Sequence, residues 1–318
     1  MTRHHQLSFE FFYLWIRTII KRVIISLLLK ISQIIRGDHI PSDVKLERIK
    51  IPSREKGRKI SVFKYVPDSA KGPGPHRVHI NWHGSGFILS PMFGTDRELC
   101  ARIAHETGAI VLDCDYRKAP EFPCPAAIED AQDAVIYVLA RGNEYDTTRI
   151  SIGGSSAGGC LALGVCAALG RDRINAVTCL YPATTMDRTI IPAPPSTEPR
   201  TGVVFKEDDM TFFRRCYLLP GDDLHGQIVS PLFAPANAFP DLIFTACGDA
   251  DTLWGDSKLF FDKIQAEGSP AQKENFEFFL VEQEAHGYDQ MAESPEEFAD
   301  KEETYAAIVD HVKRGFKP

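Results

Sequence analysis

Apolar and polar positions change rhythm several times along the chain, and each change marks an element. Residues 7–35 are dense in apolar and aromatic side chains, with Arg22, Ser26, Lys30 and Gln33 recurring at three- to four-residue spacing. A helix here carries a narrow basic stripe and a broad apolar face. From Val44 the period falls to two: residues 45–51 and 59–66 alternate and predict an antiparallel start. Residues 67–75 form a turn-rich break. Short apolar runs then predict strands at 77–82, 109–114, 149–152, 174–180, 242–247 and 276–281. Between them the pattern predicts helices at 95–107, 125–141, 160–169, 207–217, 256–267 and 295–314. Strands alternating with helices imply an α/β fold: a mostly parallel, eight-stranded sheet with helices on both faces. In such sheets the chemistry gathers at the C-terminal ends of the strands. Residues 181–220 break the rhythm with two proline-rich runs, Ile191-Pro192-Ala193-Pro194-Pro195 and Thr197-Glu198-Pro199. An insertion of that length reads as a lid or a disordered segment.

Charge and cysteine usage narrow the function. The 318 residues carry a formal net charge of −7 with no basic face, which argues against nucleic acid as a partner. Eight cysteines show no Cys-x-x-Cys and no Cys/His cluster with zinc spacing. They read as buried thiols of a reducing compartment, and no metal site is expected. The N-terminal stretch has no uncharged run near the ~20 residues that span a bilayer, and no signal-peptide pattern. Two readings of it stand side by side: a helix packed on the rest of the protein, or an interfacial membrane anchor with its basic residues at the headgroups. The expected location is cytoplasmic, or membrane-associated facing the cytoplasm.

The candidate chemistry centres on Gly153-Gly154-Ser155-Ser156-Ala157-Gly158-Gly159, between a strand and a small-residue helix. Gly-x-Ser-x-Gly in that context is a nucleophile elbow. Side chains at Gly154 and Gly158 would collide with strand or helix, and Ser156 sits at the apex beside a helix N-terminus that favours negative charge. Asp251 follows the next core strand and His286 the last one. A serine hydroxyl needs an imidazole to take its proton, and the imidazole needs a carboxylate to fix its tautomer. His83-Gly84-Ser85-Gly86 follows the third strand, where an oxyanion loop belongs. The N–H groups of Ser85, Gly86 and Ala157 are the expected oxyanion donors, with His83 and Gly84 as supporting motif residues.

Together with Asp115-Tyr116-Arg117-Lys118-Ala119-Pro120-Glu121, Pro125-Ala126-Ala127, Asp251-Thr252-Leu253 and His286-Gly287, these motifs resemble the hormone-sensitive lipase family of α/β-hydrolases. That family includes bacterial esterases, arylacetamide deacetylases and plant carboxylesterases. The match runs from about residue 75 to the C-terminus. The resemblance implies acyl-ester hydrolysis without metal or cofactor, on a small to medium apolar ester. It also implies a helical cap, here residues 1–45 and 183–222, over a catalytic domain of residues 46–182 and 223–318. The same triad serves an amidase, a deacetylase or an acyltransferase, because the cap chooses the acceptor. Plant gibberellin receptors, which bind a ligand without catalysis, resemble the family but lack the histidine that stands here at His286. The partners expected are the ester substrate, a membrane surface through residues 7–35 as the second reading above, and a homodimer as an open option. Four positions depart from the family pattern, one of them Gly255 in place of an acid after the expected triad Asp251. Ser85 stands where glycine is usual, at a cost of about 1 kcal/mol if that site needs positive φ, and its hydroxyl points to a narrower acyl pocket. Ser155 replaces an acid, and Thr252 replaces a proline.

Overall fold

The structure is a computed structural model that describes residues 8–36, 40–196 and 198–317. Leu7, Thr197 and the side chain of Gln33, invoked above, lie outside the described residues.

Eight strands form one sheet: β1 (Val44–Pro52), β2 (Lys59–Pro67), β3 (His76–Trp82), β4 (Ile110–Cys114), β5 (Tyr145–Ser155), β6 (Ala176–Leu180), β7 (Leu242–Gly248) and β8 (Phe276–Val281). Their order is β1-β2-β4-β3-β5-β6-β7-β8. β1–β2 and β2–β4 pair antiparallel, and every later pair is parallel. The fold is therefore the α/β-hydrolase arrangement that the strand–helix alternation predicts. Strand order reverses at β3, which lies between β4 and β5. A crevice opens outside the carboxyl ends of the strands at such a reversal, and the loops after β3 and β5 meet there.

The helices are α1 (Phe9–Arg36), α2 (Arg97–Thr107), α3 (Ala126–Leu139), α4 (Ala157–Leu169), α5 (Glu207–Tyr217), α6 (Trp254–Glu267), α7 (Pro270–Asn275), α8 (Tyr288–Met291) and α9 (Pro295–Gly315). Inward residues of α3, α4 and α6, among them Ile128, Leu161 and Phe260, pack with Ile80 and Ile152 on one face of the sheet. On the other face α2 and α9 pack Leu99, Ile103, Ile308 and Val312 against Val111 and Phe244. Local chemistry sets several ends. Gly108 closes α2 in the left-handed conformation, with φ 68°. Ser294 and Glu297 form a reciprocal capping box at the start of α9.

Some boundaries differ from the sequence pattern. The elbow strand runs from Tyr145 rather than 149, and the helix after it starts at Ala157 rather than 160. α2 begins at Arg97, two residues later than expected. All eight cysteines are buried. Burial pushes the Cys166 thiol up to about 12 and Cys216 to about 11.

α1 packs on the body of the protein in an unexpected orientation. Thr18 and Arg22 face inward, while Arg17 and Lys30 stay exposed. The Arg22 guanidinium forks onto both Glu121 carboxylate oxygens at 2.6 and 2.8 Å and also donates to the carbonyls of Ile88 and Ala119. Thr18, fully buried, lies 3.7 Å from Cys216 Sγ on α5. Leu14 is the fully buried apolar residue of this face, while most of the helix's other large apolar side chains point away from the protein.

Candidate active site

β5 runs into α4 through a turn that only small residues permit. A Cβ on Gly154 would lie 2.5 Å from Trp82 O and from Gly158 C, and one on Gly158 would overlap Trp82 O outright. Strand, elbow and helix are thus in direct backbone contact with β3. At the apex Ser156 has φ 53° and ψ −117°, a conformation rare for a residue with a side chain. The Ser156 N–H donates to Leu180 O at 2.8 Å, and its carbonyl accepts from Cys160 N, so both neighbours hold the strained residue in place.

The loops after β7 and β8 bring two more side chains to Ser156. His286 Nε2 lies 2.9 Å from Ser156 Oγ, and His286 Nδ1 lies 3.0 Å from Asp251 Oδ2. Asp251 is fully buried and also accepts the Leu253 N–H at 2.7 Å. With Nδ1 protonated toward the carboxylate, Nε2 is the acceptor that faces the hydroxyl. Tyr181 and Phe205 flank the imidazole, with ring centroids 4.5 and 5.1 Å away.

The loop after β3 approaches from the other side. Gly86 (φ 53°) and Phe87 (φ 63°) adopt the left-handed conformation, and Ser85 does not. The condition under which the serine would carry a positive-φ cost is therefore not met. Its hydroxyl lies 2.7 Å from Tyr116 Oη, whose own O–H donates to His83 O at 2.7 Å. Ser85 is thus engaged in bracing the loop. A Cβ on Gly84 would press on Ser156 Cβ, and one on Gly86 would press on the Phe213 ring. The backbone of the loop comes close to the serine because no side chain stands between. His83 is fully buried, stacked on Tyr116 at 4.8 Å, and its burial keeps the imidazole neutral. Ala157 is the first residue of α4, where a helix leaves N–H groups without intrahelical partners.

Ser155, where the family has an acid, accepts the Gly84 N–H at 2.9 Å and donates to Asp96 at 3.0 Å. Asp96 also accepts from Asn81 Nδ2 and Gln290 Nε2, each at 3.0 Å. A buried carboxylate from the N-cap of α2 thus acts on the oxyanion loop through one hydroxyl. Nothing in the sequence marks this: the pattern places Asp96 within the helix predicted over 95–107. Burial raises its pKa to about 6, against ~3.9 for an exposed aspartate. An acid whose folded pKa is raised binds more protons folded than unfolded. Its contribution to stability is therefore fully present below pH ~4 and is lost as pH rises through 6. In the Asp96→Asn variant this component should vanish. Melting temperatures across pH 4–7 are expected to fall less steeply for the variant than for the wild type, and parallel curves would refute the assignment.

A second contact set lay outside the sequence reading. Residues 201–205 pair with the histidine loop: Val203 N donates to His286 O at 2.8 Å, and Ala285 N donates to Thr201 O at 3.0 Å. The Thr252 hydroxyl donates to Phe205 O and accepts from Phe205 N. The departure from proline at 252 thus ties the loop bearing Asp251 to the inserted segment. Arg200 donates to the carbonyls of Glu282 and Gln283 and pairs with Asp300 at 2.6 Å. Above Ser156 lies a pocket open to solvent, of about 920 Å³ with the solvent space at its mouth included. Its walls include Phe87, Leu89, Met92, Phe205, Phe213 and Tyr217, with Arg188, Arg214 and Gln290 as polar members. Such a lining suits an apolar ligand with a few orienting polar groups.

Comparison with known proteins agrees with this architecture. A family model described as the alpha/beta hydrolase fold matches residues 79–289. The esterase LipI of Mycobacterium tuberculosis is 32% identical over 231 residues, 70% of this chain and 67% of that protein. Carboxylesterase NlhH of the same organism is 32% identical over 212 residues, 62% of this chain and 63% of its own length. A solved hyperthermophilic esterase from the archaeon Pyrobaculum calidifontis superposes with a TM-score of 0.77 at 25% identity, covering 93% of each chain. The chain thus belongs to the α/β-hydrolase fold family, in its hormone-sensitive-lipase-like branch, and is a carboxylesterase-type hydrolase.

Proposed function

We propose that the chain cleaves small to medium apolar carboxylic esters through an acyl-enzyme on Ser156, with His286 as proton carrier and Asp251 as its partner. The observation that carries this reading is the unbroken hydrogen-bonded line from Ser156 Oγ through His286 to Asp251 at the floor of an apolar pocket. In the first half-reaction His286 Nε2 takes the Ser156 proton as Oγ attacks the ester carbonyl. The carbonyl oxygen becomes an anion held by the N–H groups of Ser85, Gly86 and Ala157. Each such donor contributes roughly 3 kcal/mol to the transition state. The C–O bond to the alcohol breaks and the alcohol leaves with the proton from Nε2. Water then enters, gives its proton to Nε2, and displaces Oγ from the acyl group along the same path.

In this reading residues 183–222 and α1 form the cap. The 201–205 segment fixes the histidine loop from the cap side, so the wall that selects substrate also positions the base. Hydrolysis of p-nitrophenyl esters from acetate to palmitate tests the proposal. Turnover with an optimum at short to medium acyl length is expected. Asp251→Asn should lower kcat about 10⁴-fold, because the imidazole loses its oriented tautomer. A wild-type chain inert on every ester, and unreactive at Ser156 toward an organophosphate, would sink the catalytic reading in favour of ligand binding.

A further inference from the structure

Helix α1 presents to solvent the face that a helix ordinarily buries. Ile16, Ile20, Val23, Ile24, Leu27 and Leu28 are each 51–59% exposed, and they continue one another along the same side. Elsewhere among the described residues the exposed large apolar residues lie singly, as Phe122, Ile136 and Leu280 do, or as the short pair Val203–Val204. Against the protein the helix instead sets Arg22, Thr18 and Ser26. Water alone favours the opposite rotation. The inward hydrogen bonds of Arg22 to Glu121, Ile88 O and Ala119 O fix this one. The charge pattern is equally one-sided. Residues 9–36 hold five Lys or Arg and only Glu10 as an acid, in a chain of net charge −7. Exposed Arg17 and Lys30 border the apolar face.

We infer that the outward face of α1 docks on an anionic lipid surface, lying in the interface plane with its basic residues at the headgroups. Among the described residues no helix is long and apolar enough to cross a membrane, which leaves an in-plane pose for α1. A second copy of the chain fits the face less well. Two copies related by a two-fold axis would bring two basic helices together with little acid to offset them, whereas anionic headgroups supply the missing charge. The place in the fold gives the docking a use. α1 rests on residues 90–92 and on α5, through Lys21–Asp209 at 3.4 Å and Arg17 stacked 4.6 Å from Phe212. Met92, Met210 and Phe213 of those elements line the pocket. A docked chain therefore holds its pocket walls next to the surface in which apolar esters dissolve. The docking itself does not depend on the ester reading.

The test is flotation of the full chain with vesicles of phosphatidylcholine containing 30 mol % phosphatidylserine, and with phosphatidylcholine alone. The wild type should float with the anionic vesicles. The triple variant Ile20→Glu, Ile24→Glu, Leu27→Glu should bind on the order of tenfold less, with unchanged melting temperature, because these side chains touch solvent. A second variant, Arg17→Glu with Lys30→Glu, keeps the apolar face. It should also lose about tenfold on anionic vesicles and little on neutral ones. Hydrolysis of a water-soluble ester, followed in parallel, should not change in the triple variant. A wild type that stays with the lipid-free fraction overturns the proposal. So does a wild-type dimer in light scattering that the triple variant converts to monomer, which would make a second copy the occupant.

Discussion

Replacing Ser156 with alanine should abolish ester hydrolysis while leaving the fold intact. The Cβ is retained at φ 53°, so the backbone demand is unchanged. What disappears is the atom 2.9 Å from His286 Nε2. Loss of the nucleophile in a serine hydrolase costs on the order of 10⁶-fold in kcat, with only oxyanion and binding terms left. Melting temperature should stay level, since the alanine keeps the same backbone conformation and packing. Steady-state turnover of a p-nitrophenyl ester by freshly purified variant and wild type decides the matter. Residual activity within a hundredfold of wild type would place the nucleophile elsewhere.

Gly158→Ala should be the most damaging single methyl in the molecule. On helix propensity alone the change gains ~1 kcal/mol, because alanine is the best helix former and glycine among the worst. The tertiary contact decides against it, because the new Cβ would lie 1.8 Å from the Trp82 carbonyl oxygen. β3 and α4 would have to separate, and overpacking of that kind costs ~3 kcal/mol or more. The loop after β3 would move with them, so kcat should fall along with stability. A denaturant titration measures the first effect and ester turnover the second. An unchanged midpoint would mean that strand and helix do not meet as described. A control at Gly170 should be milder, since it has φ 80° but open space around its Cβ.

The sheet was legible because its strands are short apolar runs bounded by turn residues, and a period of two or an unbroken apolar run survives almost any context. α7 and α8 were not legible, since six and four residues are too few to show a helical period. Ser156, Asp251 and His286 could be picked out because each follows a strand, and strand ends converge in this topology. The partners that brace the site could not. Asp96 reaches Ser155 across 59 residues, and Thr252 meets Phe205 across 47. Sequence spacing carries no trace of such pairs. The rotation of α1 was hidden for a related reason. Its pattern defines an apolar face, but which face turns inward depends on Glu121 and on two carbonyls about 66 and 97 residues away.

The burial of every cysteine turns the chain into its own clock. Alkylating reagents attack thiolates, and a thiol that is both enclosed and shifted upward in pKa reacts only when the structure opens. Cys216 lies beneath α1 beside Thr18, whereas Cys100, Cys114 and Cys179 are enclosed in the central layers. Lifting α1 uncovers the first and leaves the others closed. The order in which thiols take up label therefore dates two events separately, the departure of the N-terminal helix and the collapse of the sheet, with no engineered probe.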